Sequence, residues 1–275
     1  MAVGLVQEYR VVARNTARSS ANKIHDDVVA RRYGFRAGLV PGVDVYAYMT
    51  HPAAEVWGAD WLCRGSLRAR FLAPIYDGDE VSVVPGRVTR DEAAQVLPLE
   101  VRDGIGAVCA TGEARLSDGS RSGPRAPLPT TWPLVAPAVE PRAASPEALA
   151  PGTTLALTPH HFHADRAPEY LSEIGETLSL YLEAGVAHPG WLLRDANYVL
   201  STNVVLGPWI HVESTAQHHG LVHDGDTVEA RATVTREWER NGHRFVELDV
   251  GLFADGDVVA RVTHVAIYRP RREAA

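Results

Sequence analysis

Two cysteines, Cys63 and Cys109, are all that the 275 residues contain. That excludes a disulfide framework and a four-cysteine zinc site, and both are read as buried free thiols. Lysine is scarcer still: Lys23 is the only one, and every other member of the 27 basic residues is arginine. No stretch of ~18 apolar residues occurs, so no membrane span is expected. The opening segment MAVGLVQEYRVVARN lacks a basic region followed by an apolar core, so no secretory leader is expected and a cytoplasmic location is. Basic residues are outnumbered by 34 acidic ones, giving a net charge of -7. No basic stripe stands out apart from Arg269, Arg271 and Arg272, so no nucleic-acid partner is expected. A Gly-rich phosphate loop and a Gly-x-Ser-x-Gly elbow are also missing.

What remains is an ordinary globular composition, 45% hydrophobic and 22% charged, of a length that suggests two domains. Counting along the chain exposes a repeat. Tyr33 stands eight residues before Pro41-Gly42, and Tyr181 eight before Pro189-Gly190. Trp61 and Trp209 keep the same offset of 148, and Asp77-Gly78-Asp79 recurs one residue out of step as Asp224-Gly225-Asp226. These landmarks divide the chain into a first domain at 1–118, a proline-rich linker at 119–152 and a second domain at 153–275. The linker carries eight prolines, each removing a backbone donor, so an extended connection is expected.

Both domains read alike. A leading strand (5–13, 153–158) precedes a helix after Pro-Gly (43–58, interrupted by Pro52, and 191–207). Alternating segments follow at 66–76, 80–90, 94–103 and 107–116, then at 214–222, 227–239, 243–253 and 257–269, with Asp-Gly or Asn-Gly turns separating several of them. The expected class is α+β, one long helix wrapped by an antiparallel sheet, twice over.

One segment is more specific. Asn22-Lys23-Ile24-His25-Asp26-Asp27, then Ala30, Gly34-Phe35 and Gly38-Leu39-Val40-Pro41-Gly42, resembles the MaoC-like dehydratase and (R)-specific enoyl-CoA hydratase family. Arg70-Phe71-Leu72-Ala73-Pro74-Ile75-Tyr76-Asp77-Gly78-Asp79 matches that family's strand-turn segment. The resemblance implies a double hotdog fold and reversible hydration of an acyl thioester, the enoyl group carried by CoA or by a carrier protein's phosphopantetheine. It implies no metal and no redox cofactor, and a homodimer is compatible with it. His25 would then carry the proton, since only histidine titrates near neutral pH unperturbed. Asn22 and Ser20 would hold the water, and the Gly42 amide at a helix N-terminus would bind the thioester oxygen. Asp27, Lys23, His188 and Glu213 are the candidate substrate-binding residues, with Asp27 also fitted to brace the helix and Lys23 to meet an anionic phosphate.

The sequence departs from the family pattern in three places. Ser20 stands where the family has its catalytic aspartate, Lys23 where it has proline, and Pro41 where it has histidine; His188 keeps that histidine in the second half only. Two other functions stay open: a thioesterase on the same fold, with Asp44 or Glu55 as its carboxylate, and a non-catalytic acyl-thioester binder. The histidine groups at 160, 161 and 163 and at 218, 219 and 223 lack the convergent ligand set of a zinc site.

Overall fold

The computed structural model describes residues 6–117 and 132–271. The first half runs β1 (Tyr9–Val12), α1 (Asp27–Arg31), α2 (Gly42–Arg64), β2 (Gly65–Phe71), β3 (Glu80–Pro85), β4 (Thr89–Arg90), β5 (Ala94–Asp103) and β6 (Val108–Ser117). Next come β7 (Arg142–Ala143), β8 (Thr154–Ala156), β9 (His160–His161), α3 (Ala167–Glu173), α4 (Leu180–Ala184) and α5 (Pro189–Ser201). The chain ends with β10 (Val204–Val205), β11 (Ile210–His218), β12 (Thr227–Arg240), β13 (His243–Ala254) and β14 (Asp257–Arg269).

Twelve strands form one sheet, ordered β1-β3-β5-β6-β2-β11-β14-β13-β12-β8, with β4 beside β5 and β9 beside β12. Every pairing in it is antiparallel. The order reads the same from either edge: β2 corresponds to β11, β6 to β14, β5 to β13, and β3 to β12. The repeat extends to single hydrogen bonds. Val40 N donates to Ile75 O at 2.8 Å, and Ala187 N, 147 residues on, donates to Val222 O at 2.9 Å. The bridge Leu39–Tyr76 recurs as Val186–His223. In the paired Asp-Gly-Asp turns, Asp79 accepts from Tyr76 N at 2.9 Å and Asp226 from His223 N at 2.7 Å.

The halves meet where β2 pairs with β11, Leu67 opposite Ala216. Period-two burial marks the face turned to the helices, as at Val228, Ala230, Ala232 and Val234 on β12. Helix α2 lies across that face and is buried continuously from Val43 to Ala54, as befits a helix wrapped on all sides. It continues past Pro52 and bends at Gly58, whose φ of 56° places it in the left-handed region. Beyond the bend, the buried Trp61 ring occupies the space that a side chain at Gly65 would need. No helix among the described residues is long and apolar enough to cross a membrane.

The second part of the proline-rich segment is docked rather than freely extended. Trp132 is buried, donates from Nε1 to Asp249 O at 3.2 Å and fills the space over Gly251. Leu149 is completely buried, and β7 pairs in parallel with β10. Residues 119–131 of the expected linker lie outside the described residues.

Two stability outcomes follow. Leu67→Ala, at the seam between the halves, should cost about 2–5 kcal/mol in urea denaturation because the packed helices cannot collapse into the void. His218 is buried against Trp61, with Nδ1 donating to the Trp61 carbonyl at 3.1 Å, and burial pushes its pKa down to about 4. The unfolded chain binds that proton below its ordinary value of 6.5. Folding free energy should therefore be lost as pH falls from 6.5 towards 4, by up to about 1.4 kcal/mol per pH unit from this group. His218→Gln should flatten the profile over that window, and a profile parallel to the parent's would reject the assignment.

Candidate active site

The Asn22–His25 loop folds as a single 3₁₀ turn, capped by Asn22 Oδ1, which accepts from Ile24 N at 3.3 Å. Three contacts brace it. Asn15 Nδ2 donates to His25 O at 2.8 Å, Leu39 N donates to Ile24 O at 3.2 Å, and Asp27 Oδ1 accepts from Gly38 N at 2.9 Å. Gly38 is required because a side chain there would overlap the His25 carbonyl. Asp26 caps α1 by accepting from Val29 N at 2.9 Å.

The loop fixes the chemistry of the imidazole. His25 Nδ1 lies 2.7 Å from the Leu39 carbonyl, which only accepts, so Nδ1 carries the hydrogen and Nε2 is a bare lone pair in the neutral ring. Asn22 Nδ2 approaches Nε2 at 3.3 Å. Burial lowers the pKa of His25, against the Leu39 hydrogen bond and the field of Asp44, both of which favour the charged form. The ring is therefore a neutral base near pH 7.

His25 and Asn22 line a cavity of about 230 Å³. Its walls are mostly apolar, with Ile24, Phe35, Leu39, Val45, Phe71 and Ile75 from the first half. The second half closes it with Asn197, Trp209, Ile210, His211 and Ile267. Asn22 ties the halves together, its Nδ2 donating to Trp209 O at 3.0 Å and its Oδ1 accepting from Trp209 N at 3.1 Å. Gly42, the first residue of α2, also lines the cavity. Its N-cap Pro41 offers no side-chain acceptor, and the Gly42 amide has no backbone partner among the described residues.

The same place in the second half is closed. His188 caps α5, and its Nδ1 accepts from Gly190 N at 3.0 Å, so the amide equivalent to that of Gly42 is already bonded. His188 Nε2 meets Thr50 Oγ1 at 3.1 Å and Glu176 at 3.6 Å, and His51 bonds Glu176 at 2.7 Å. Burial works to raise the Glu176 carboxyl, but hydrogen bonds from the two histidines overcome it and hold the group well below the usual range. In place of the Asn-x-x-His loop this half carries α3 and α4.

Of the residues singled out from sequence, the fold brings Asn22, His25 and Gly42 to one cavity. The other candidates lie elsewhere. The Ser20 hydroxyl reaches Asn22 O at 3.4 Å, and the residue does not line the cavity. Lys23 turns its ammonium to Ser20 O at 2.9 Å, outside the cavity. Asp27 is spent on Gly38, and His188 is sealed in the second half's core. Glu213 pairs with Arg68 at 2.7 Å and does not line the cavity, because a β-bulge between His211 and Glu213 turns it out of the inward register. That bulge instead admits His211, which sequence patterning missed. Its Nε2 lies 2.8 Å from Ser214 Oγ, which lies 3.0 Å from His264 Nδ1. Burial pushes His264 down to about 3; burial and then His264 hold His211 well below its ordinary value, against a smaller backbone effect at Glu213.

No family model matches the chain, and no curated relative does. Solved structures do. A MaoC-like dehydratase superposes at TM-score 0.64 with 13% identity, covering 96% of this chain and 98% of that one. A conserved hypothetical protein from Mycobacterium tuberculosis, described as a double hotdog fold, superposes at 0.60 with 16% identity over 96% of each chain. A protein assigned as a thioesterase II from Thermobifida fusca YX reaches 0.53 with 16% identity, covering 97% and 94%. The chain has a hotdog fold. These identities establish the architecture, and the chemistry has to come from the residues themselves.

Asn22→Ala would leave both backbone groups of Trp209 without their partner and should lower unfolding free energy by about 1–3 kcal/mol. Ser20→Ala should stay within about 0.5 kcal/mol. Equal losses in parallel denaturant titrations would contradict the placement of these two side chains.

Proposed function

We propose that the chain is a double hotdog hydro-lyase of MaoC-like type, adding water reversibly to a 2-enoyl thioester. One observation carries the reading: a neutral histidine, unprotonated at Nε2, and the first residue of α2, whose helix N-terminus is uncapped, line the same apolar cavity. His25 Nε2 takes a proton from water as its oxygen bonds to C3. Electron density moves through the C2–C3 double bond onto the thioester oxygen, which the Gly42 amide and the positive end of α2 stabilise. The imidazolium then gives a proton to C2, so the ring ends neutral and the product is the 3-hydroxyacyl thioester. Asn22 orients the His25 ring, its carboxamide being committed to that ring, Ile24 and Trp209.

The aspartate position of the family, Ser20, contributes nothing at the cavity, and Asp44 supplies the negative field that favours the imidazolium. Asp44 does so from a distance, held by Thr16 at 2.5 Å and by Arg194 at 2.9 Å. The thioesterase reading is weaker on the same ground. No Asp or Glu is among the described residues lining the cavity, Asp44 is committed to its partners, and Glu55 is exposed.

Assayed with crotonyl-CoA, His25→Ala should lower kcat/KM by about 10²–10⁴-fold. The acid limb of the parent profile should fall below the ordinary histidine value of 6.5, because the active form is the neutral base and its pKa is lowered. Hydrolysis of acyl-CoA without hydration, or hydration unchanged in the variant, would reject the assignment.

A further inference from the structure

His211 is the second imidazole at the cavity and has no part in the mechanism above. Among the described residues its Nδ1 is buried and without a hydrogen-bond partner, as is Nε2 of His264 at the far end of the chain His211–Ser214–His264. The ring sits against the first residue of α2: a Cβ built on Gly42 would lie 2.8 Å from Nδ1. The Gly42 amide and the imidazole thus border the same corner of the cavity.

The Ser214 hydroxyl has one proton and donates in only one direction, so the tautomers of the two neutral rings are coupled. If Ser214 donates to His264, an orphaned N–H is buried at His264 Nε2, where the cavity does not reach. If it donates to His211, His264 Nδ1 supplies Ser214, and His264 Nε2 is only a bare lone pair. Each arrangement leaves one buried N–H without an acceptor, at His264 Nε2 in the first and at His211 Nδ1 in the second. Only His211 lines the cavity, so a ligand that brings an acceptor there selects the second arrangement, with the hydrogen of His211 on Nδ1.

We propose that His211 Nδ1–H is a second donor, beside the Gly42 amide, to the carbonyl oxygen of a bound acyl thioester. The proposal rests on the thioester reading and adds to it that the oxygen site is built from both halves of the chain: an amide from the first and an imidazole from the second, with its tautomer set by Ser214 and His264. A preorganised pair of donors is what a developing enolate requires.

The test uses binding and needs no turnover. Butyryl-CoA and S-butyl-CoA, the thioether lacking the carbonyl oxygen, are titrated calorimetrically into the full chain. The parent should prefer the thioester. His211→Phe should reduce that preference by roughly 3- to 10-fold, the net value of one neutral hydrogen bond. His211→Asn, whose amide nitrogen falls near the position of Nδ1, should restore part of it. A preference unchanged in His211→Phe would overturn the proposal. Because that variant alters a buried site, the tautomer is also read in the unaltered protein with butyryl-CoA bound, by nitrogen NMR of labelled histidine. Protonated Nδ1 with bare Nε2 at His211 supports the proposal, and the reverse overturns it. If the parent binds neither compound, the thioester reading itself fails and takes the proposal with it, an outcome distinct from a preference that survives the substitution.

Discussion

The antiparallel pairing of β2 with β11 is the constraint from which the site follows. It makes one sheet of two half-sheets and sets α2 and α5 side by side on the same face. It also brings Trp209 and the start of β11, with His211, to a cavity that the first half lines with His25, Asn22 and Gly42. Neither half has a complete site without this seam. Asn22 shows the dependence at atomic scale: one carboxamide caps its own loop, approaches the His25 ring and satisfies both backbone groups of a tryptophan 187 residues away.

Duplication followed by unequal change explains why only one of two equivalent helix ends is available. Pro41 has no acceptor to give to the amide of Gly42, whereas His188 gives one to Gly190. A helix N-terminus attracts negative charge only where its amides are unoccupied. In the second half that capacity is taken by His188, which with Glu176 meets Thr50 and His51 of α2 in a buried polar cluster. Its contribution to the cavity is made by β11, by Asn197 on α5 and by Ile267 on β14.

Much of the fold was legible in the sequence because an antiparallel sheet with one face covered alternates apolar and polar residues, and each Asp-Gly or Asn-Gly turn punctuates it. The segments expected at 94–103, 227–239, 243–253 and 257–269 match strands to within a residue, and the one expected at 80–90 divides into β3 and β4. The strand expected at 214–222 instead spans Ile210–His218, because the bulge at His211 and Glu213 breaks the alternation there. The same bulge hid His211 and made Glu213 look available to the cavity. The proline-rich segment was legible as a connection but not as a docked one, since Trp132 finds its place only against Asp249 and Gly251, more than a hundred residues further along.

By itself the sequence determined the repeat and most of the sheet strands, because these depend on local pattern and short spacing, and a family resemblance pointed to the loop with His25 and Asn22 and to Gly42. Only the tertiary structure decided which candidates share a cavity. Ser20, Lys23, Asp27, His188 and Glu213 have the right chemistry for a site, but Ser20, Lys23 and Asp27 are engaged within their own loop, and His188 and Glu213 by partners more than a hundred residues away. The state of the His25 ring is likewise tertiary, since a carbonyl fourteen residues away fixes its proton and burial fixes its charge.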